Sequence, residues 1–192
     1  LINHSLLLTW PGSYPEIKHL IIDEAHALEE KSFDAFSREI SSYELNQLLS
    51  KLIQAGNKGF LYYLLFYGRK VLPALKITSA IKTVEQIKQY AKDISLLLEP
   101  CEDDKYSKRI AIPENFTGLE EAAVSLSSGL ATLALFLEKT MDEISVKDED
   151  FIRTTLFRQG EEYMRTCRAW SGLLESCFAE EKDENNCCYL EF

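Results

Sequence analysis

Residues 119–144 of this 192-residue chain read LEEAAVSLSSGLATLALFLEKTMDEI. Apolar residues recur in this segment at steps of three and four, which places them on one face of an α-helix. That face consists of Leu119, Ala123, Leu126, Leu130, Leu133, Leu137, Met141 and Ile144. The pattern predicts a long helix whose apolar seam packs along its length against neighbouring helices at a shallow angle.

Two further seams predict two more long helices. One repeats every seven residues before Pro100, through Ile77, Ala80, Val84, Ile87, Ala91, Ile94 and Leu98. The other lies near the end of the chain, through Ile152, Leu156, Gly160, Tyr163, Cys167, Trp170, Leu174 and Cys177. Gly160 costs about 1 kcal/mol of helix propensity relative to Ala, so it marks either a bend or a close approach between helices. The three seams predict a mainly α fold, an antiparallel bundle of long helices.

Helix-start signals mark where these and shorter helices begin. Capping boxes pair a serine or threonine with an acid three residues later. They are Ser41-x-x-Glu44, Thr117-x-x-Glu120 and Ser145-x-x-Asp148. The first helix is expected to end at Gly56-Asn57, a left-handed stop signal. Residues 59–69 are predicted to form an apolar and aromatic helix that is buried against its neighbours.

Composition and charge bound the classes of protein. The 46% hydrophobic and 27% charged shares are those of an ordinary folded protein, and no uninterrupted apolar run approaches the roughly 20 residues of a membrane span. The net charge of −10 argues against a surface that grips nucleic acid everywhere, so any DNA contact must be local. Without an initiator Met, the chain is expected to be a segment of a larger protein; the cysteines described next lead us to expect a cytoplasmic one.

The cysteines do not form a recognisable framework. Their number is odd, and the positions are Cys101, Cys167, Cys177, Cys187 and Cys188. Such wide spacing fits neither a disulfide scaffold nor a zinc site. Free thiols in a reducing compartment are therefore predicted.

Residues 20–26, Leu-Ile-Ile-Asp-Glu-Ala-His, carry the strongest chemical signal. An apolar run that ends in carboxylates is typical of a buried strand, here predicted over residues 18–23, that delivers acids at its C-terminal end. Nucleotide-hydrolysing motors need one acid there to hold Mg²⁺ and another to position or deprotonate the attacking water. Asp23 and Glu24 fit these roles, and His26 fits a relay to neighbouring motifs. The alternative is an exposed helix start, with both acids favouring the N-terminal dipole.

The residues before this motif extend the pattern. An Asn3-His4-x-Leu-Leu-Leu segment, a loop around Trp10-Pro11-Gly12, and Leu-Ile-Ile-Asp-Glu-Ala-His-x-Leu-Glu-Glu together resemble the DinG-type helicases, relatives of the XPD helicase in superfamily 2. The resemblance is specific over residues 1–30. It implies a small α/β fragment of a motor domain over residues 1–40, a helical insertion called the arch over 41–180, and a linker and strand returning to the motor over 181–192.

The resemblance also implies cofactors and partners. These are ATP and Mg²⁺ in the parent protein, with Mg²⁺ at Asp23, and single-stranded DNA together with the other motor domains of the same chain as partners. No membrane partner is implied. Many relatives carry a four-cysteine iron–sulfur cluster upstream of the Asn-His segment, and this chain supplies none of its ligands. The sequence has no Gly-x-x-x-x-Gly-Lys-Ser/Thr loop, so the chain alone is expected not to hydrolyse ATP.

Candidate DNA contacts follow from the implied arch. Arg158, Arg165 and Arg168 fall within a quarter-turn of helix circumference on the last helix, where they could follow a phosphate backbone. Asn3 and His4 are expected near the DNA path of the motor. The alternative is that the arginines are solvated partners of acids, for instance Glu161 with Arg165. The alternative function is a helical protein-interaction module without nucleotide chemistry.

Overall fold

A computed structural model of the chain describes residues 4–28, 31–32, 37–98, 109–111, 118–178 and 188–191. The fold class is mainly α, as predicted. The chain divides into two units, Leu1–Glu39 and Ile40–Phe192. This division lies one residue from the domain boundary predicted after residue 40.

The first unit contains the short helix α1 (His4–Leu8) and a 3-10 turn (Ala25–Ala27). The second contains the helices of the predicted bundle and one small antiparallel ribbon. Its elements are α2 (Ser42–Leu52), α3 (Phe60–Gly68), α4 (Thr78–Leu98), β1 (Arg109–Ala111), α5 (Leu119–Lys147), a 3-10 turn (Glu149–Arg153), α6 (Thr155–Phe178) and β2 (Tyr189–Glu191).

Helix α5 is the centre of the second unit. Every residue of its predicted seam is buried, from Leu119 at 2% exposure to Ile144 at 0%. The neighbouring helices α4 and α6 both pack on α5, and both run antiparallel to it. Ile87 of α4 packs beside Gly129 of α5, and Leu97 of α4 packs beside Gly118 at the start of α5, so the two helices run in opposite directions. By length and composition α5 would also pass for a membrane span, but its apolar seam is buried in the way of a core helix.

The seams of α4 and α6 are buried unevenly. The first half of the α4 seam, including Val84 and Ile87, is fully buried, whereas Ala91, Ile94 and Leu98 are half-buried. On α6, Gly160 and Cys167 are buried, and the rings of Tyr163 and Trp170 are partly covered. Ile152 lies in the 3-10 turn before α6 and is 50% exposed, so its assignment to the seam was wrong.

Gly160 marks a close approach between helices. A Cβ atom added there would meet Met141 Sδ on α5 and would lie 3.0 Å from Phe60 Cζ on α3. Any larger residue would force the Met141 and Phe60 side chains to shift, so the glycine favours this close packing of α6 on both helices. Of the two alternatives raised by the sequence, the close approach is the one that the structure contains.

A buried polar contact that the periodicity did not reveal joins α5 to α6. Ser127 Oγ and Ser171 Oγ lie 2.9 Å apart, and Ser171 Oγ donates to Ser127 O at 3.1 Å. Ser127 Oγ also lies 3.2 Å from Glu175 Oε1. Since buried hydroxyls must find partners, these bonds favour one register of the two helices.

One predicted helix cap is present and another is not. Ser41 Oγ accepts from Glu44 N at 3.3 Å, as its capping box predicted. The Ser145 cap was wrong, because α5 continues to Lys147 and Ser145 Oγ donates to Met141 O at 2.8 Å. Since Ile144 is still fully buried, the core holds the helix past that serine. Thr117 lies outside the described residues.

A threonine caps the N-terminus of helix α6. Thr154 Oγ1 accepts from Phe157 N at 3.0 Å, after a 3-10 turn that Asp148 caps through Asp150 N at 3.2 Å. Helix α2 ends at Leu52, three residues before the predicted Ala55. The left-handed Gly56 and Asn57 instead turn the backbone so that Gln54 N donates to Lys58 O at 2.8 Å.

The strand predicted near the end of the chain is present as β2. It pairs antiparallel with β1, with Ile110 opposite Leu190. Both strands belong to the second unit, so the described pairing is within the bundle unit. The return of this strand to a motor domain stays a prediction.

We expect Gly160→Leu to lower the free energy of unfolding by about 1–3 kcal/mol, because the added side chain overlaps Met141 and Phe60. Gly172→Leu in the same helix is the matched control, since nothing lies within 4 Å of its added Cβ. That control should be neutral or should gain up to about 1 kcal/mol from helix propensity. Chemical denaturation measures both, and equal effects would contradict the close approach.

A second prediction concerns Tyr67, whose hydroxyl donates to Asp148 Oδ2 at 2.7 Å. That hydrogen bond, with burial and the charges of Asp148 and Asp150, raises the pKa of the Tyr67 phenol above its ordinary 10.0. Tyr67→Phe should therefore cost about 1–2 kcal/mol of unfolding free energy at pH 7. Because the unfolded phenol ionises near pH 10, the difference between wild type and variant should shrink as pH rises above 10. A constant difference up to pH 11 would contradict this bond.

Candidate nucleotide site and candidate DNA contacts

Most of the apolar run before the acid pair is exposed, and Ile22 is half-buried. Residues 19–22 form neither helix nor strand, and the exposures of Leu20 and Ile21 are 47% and 97%. The buried strand predicted over residues 18–23 is therefore wrong for this chain. A strand needs a partner for its backbone groups, and in the described part of the first unit no other strand pairs with it.

The backbone turns sharply at the acid pair. Glu24 has φ 53° and ψ 43°, the left-handed conformation, which costs a non-glycine residue about 1–2 kcal/mol. Two local hydrogen bonds accompany this turn. Glu24 N donates to Asp23 Oδ1 at 3.0 Å, and Ala27 N donates to Glu24 O at 2.9 Å. Such strain recurs at functional sites, although the local bonds already account for part of it here.

His26 lies beside Glu24. Its Nδ1 is 3.3 Å from Glu24 Oε2, and the two side chains are 80% and 68% exposed. A pair this exposed contributes little to stability. It does bring together the three residues to which the sequence assigned chemistry, within one four-residue segment and in contact with solvent.

The carboxylates of Asp23 and Glu24 fit only part of a metal site. Among the described residues, no group of three or more His, Cys, Asp or Glu side chains could hold a metal ion. Mg²⁺ in nucleotide enzymes is usually held by one or two carboxylates together with phosphate oxygens. Two adjacent hard oxygen donors therefore fit the protein's share of a magnesium–nucleotide site, but do not make a complete metal site.

The proposed motor contacts at the start of the chain are only partly described. Asn3 lies outside the described residues, and of His4 only the backbone, in α1, is described. The loop between these residues and the acid pair is ordered by its own side chains. Trp10 Nε1 donates to Pro15 O at 3.1 Å, and the Trp10 and Tyr14 rings meet edge to face at 5.1 Å.

The three arginines of α6 are exposed, but two of them are paired with acids. Arg165 Nη2 lies 3.3 Å from Glu161 Oε1, one turn earlier on the same helix. Arg168 Nη2 donates to Glu138 Oε2 on α5. Arg158 has no ion pair within the described parts of the chain. The alternative interpretation, in which acids neutralise these cations, therefore describes Arg165 and Arg168.

The described thiols are free, and two of them, Cys167 and Cys177, are poorly nucleophilic. Burial raises the pKa of Cys167 to about 12. Burial, together with a hydrogen bond between its thiol and that of Cys188, raises the pKa of Cys177 to about 12. Because the thiolate is the reactive form, neither Cys167 nor Cys177 is a candidate nucleophile.

Helix α3 holds a feature that sequence reasoning missed. Phe60, Leu61 and Leu64 are buried as predicted, but Tyr63 and Phe66 are 59% and 73% exposed, so the expectation that the whole helix is buried was wrong. Lys70 Nζ lies 5.4 Å from the centre of the Phe66 ring. Counting charges segment by segment, and not over the whole chain, would have drawn attention to this region.

No family model, curated protein or solved structure matches this chain.

We expect the double variant Arg165→Ala/Arg168→Ala to change the salt dependence of single-stranded DNA binding very little, because Glu161 and Glu138 already engage these cations. The measurement is the slope of log affinity against log salt for an oligo-dT. Removing one phosphate contact should flatten this slope by about 0.7. A flattening near 1.4 would show that both arginines leave their acids for phosphates.

Proposed function

We propose that this chain is the segment of a DinG-type, XPD-like ATP-dependent DNA helicase that carries the Asp-Glu-Ala-His motif and the helical arch. The observation that carries the proposal is the motif itself, residues 20–26, taken together with the Asn-His segment before it. Two structural observations support it. The motif's acids are adjacent and open to solvent, and a separate helical unit begins at Ile40.

In this proposal the two acids have different tasks. Asp23 provides a carboxylate oxygen toward Mg²⁺, and Glu24 orients the attacking water and accepts its proton. His26, 3.3 Å from Glu24 Oε2, links that carboxylate to neighbouring motifs. Bound ATP and Mg²⁺ would supply the reacting phosphoryl group and the neutralising charge.

The exposed run beside the acids does not support the proposal. Leu20 and Ile21 are exposed here, although a strand of a motor domain would bury both. The sequence lacks a phosphate-binding loop, so hydrolysis requires the rest of the parent protein.

The arch function assigned by the resemblance is to help enclose the translocating single strand. The second unit supports this role by its three long antiparallel helices, whose apolar seams pack on one another. The alternative is a helical interaction module without nucleotide chemistry. Its function does not depend on the carboxylates of Asp23 and Glu24, so variants of these residues distinguish the two proposals.

In the full-length parent, Glu24→Gln should leave ATP binding intact and lower turnover about 10²–10⁴-fold, because the amide keeps the shape of the carboxylate but cannot accept a proton. Steady-state ATPase and nucleotide-binding assays measure the two effects. Glu16→Gln, an exposed glutamate of the same unit, is the matched control and should be neutral. Near-normal turnover of Glu24→Gln would contradict the assignment and favour the interaction module.

A further inference from the structure

The charges of this acidic chain are unevenly distributed. Residues 45–84 contain no aspartate or glutamate, and they carry Lys51, Lys58, Arg69, Lys70, Lys76 and Lys82. The net charge of this segment is therefore +6, which leaves −16 for the rest of a chain whose total is −10. All six cationic residues are exposed. None of them forms an ion pair within the described residues.

Helix α3 lies in the middle of this cationic segment and presents aromatic rings to solvent. Tyr63 and Phe66, three residues apart, share one side of the helix and are 59% and 73% exposed. Lys70, one turn further on, places Nζ 5.4 Å from the ring centres of both Phe66 and Tyr67. The exposed rings and a cation thus form one continuous surface.

This surface is not needed for the core of the bundle. The opposite side of α3 already buries Phe60, Leu61 and Leu64. At Tyr67 the surface borders an acidic residue, because the Tyr67 hydroxyl donates a hydrogen bond to Asp148. The favourable region for an anion therefore ends at Tyr67. It covers Tyr63, Phe66, Arg69 and Lys70, and we call these four residues the α3 face.

We propose that the α3 face binds single-stranded DNA, with Tyr63 and Phe66 stacking on bases while Arg69 and Lys70 contact phosphates. Exposed rings among cations match a polyanion that also has exposed π-faces, and this combination defines non-specific single-strand sites. An acidic peptide would satisfy the cations but would leave the rings without stacking partners. The biological role of this site rests on the proposed helicase function, in which the arch helps enclose the DNA strand. Binding of single-stranded DNA by the α3 face does not depend on that function.

The first arm of the test removes the rings. Tyr63→Ala/Phe66→Ala in the full chain should weaken binding of a fluorescent oligo-dT by roughly 5- to 150-fold for each stacked base, without changing the salt slope. The control is Tyr43→Ala, a tyrosine 69% exposed on α2, next to Glu44 and outside the α3 face. It should bind as wild type. Because all three rings are exposed, these variants should fold normally, which circular dichroism checks.

The second arm removes the cations. Arg69→Ala/Lys70→Ala should flatten the slope of log affinity against log salt by about 1.4, or about 0.7 for each phosphate contact. Lys88→Ala/Lys92→Ala makes the same change of charge on exposed lysines of α4, outside the acid-free segment, and should leave the slope unchanged. If both pairs flatten it equally, the effect is one of overall charge and the proposal is overturned.

A third arm tests whether the α3 face binds another kind of anion. Poly-glutamate, vesicles with anionic lipids and unlabelled DNA compete with the fluorescent oligo-dT. Unlabelled DNA should displace the oligo-dT far more readily than poly-glutamate or vesicles do. Competition by poly-glutamate or vesicles as strong as that by DNA, with ring variants that bind as wild type, would overturn the proposal. The binding assays contain no ATP, so their outcome is independent of the Glu24→Gln result that tests the helicase assignment.

Discussion

The continuous burial of one side of α5 is the constraint on which the rest of the second unit depends. Eight seam positions over 26 residues are all buried, and α4 and α6 lie antiparallel along them. Two local devices keep the partners in register. Gly160 removes a side chain where α6 meets α5 and α3, and the Ser127–Ser171 pair satisfies the buried hydroxyls. Short helices α2 and α3 then cover what the three long ones leave open.

Much of this unit could be predicted from the sequence, because helical periodicity directly reports which side chains face a core. The α5 seam was predicted residue by residue, and the α4 seam is buried in its first half as predicted. Predictions based on local signals were less reliable. Ser145 resembles a cap, but burial of Ile144 extends the helix past it. Residues 18–23 resemble a strand, but a strand forms only when another strand pairs with it.

The candidate sites, like the fold, could be predicted only in part. Asp23, Glu24 and His26 lie together because they are neighbours in the sequence. The left-handed backbone conformation of Glu24 could not be predicted from the residue types. The arginine face was predicted from helical spacing alone, and spacing could not reveal that Glu138, from another helix, pairs with Arg168. The α3 face was missed because a net charge of −10 averages over the whole chain and hides an acid-free segment of forty residues.

Helix α5 is the stable axis of a bundle, and residues 18–23 pair with no other strand among the residues that the structure describes. Native-state hydrogen exchange of the full chain tests both statements at once. Amides in the interior of α5 should exchange only through global unfolding, whereas those of residues 19–22 should exchange with little protection. Protection of residues 19–22 equal to that of α5, or exchange of the α5 interior through local opening, would contradict the account.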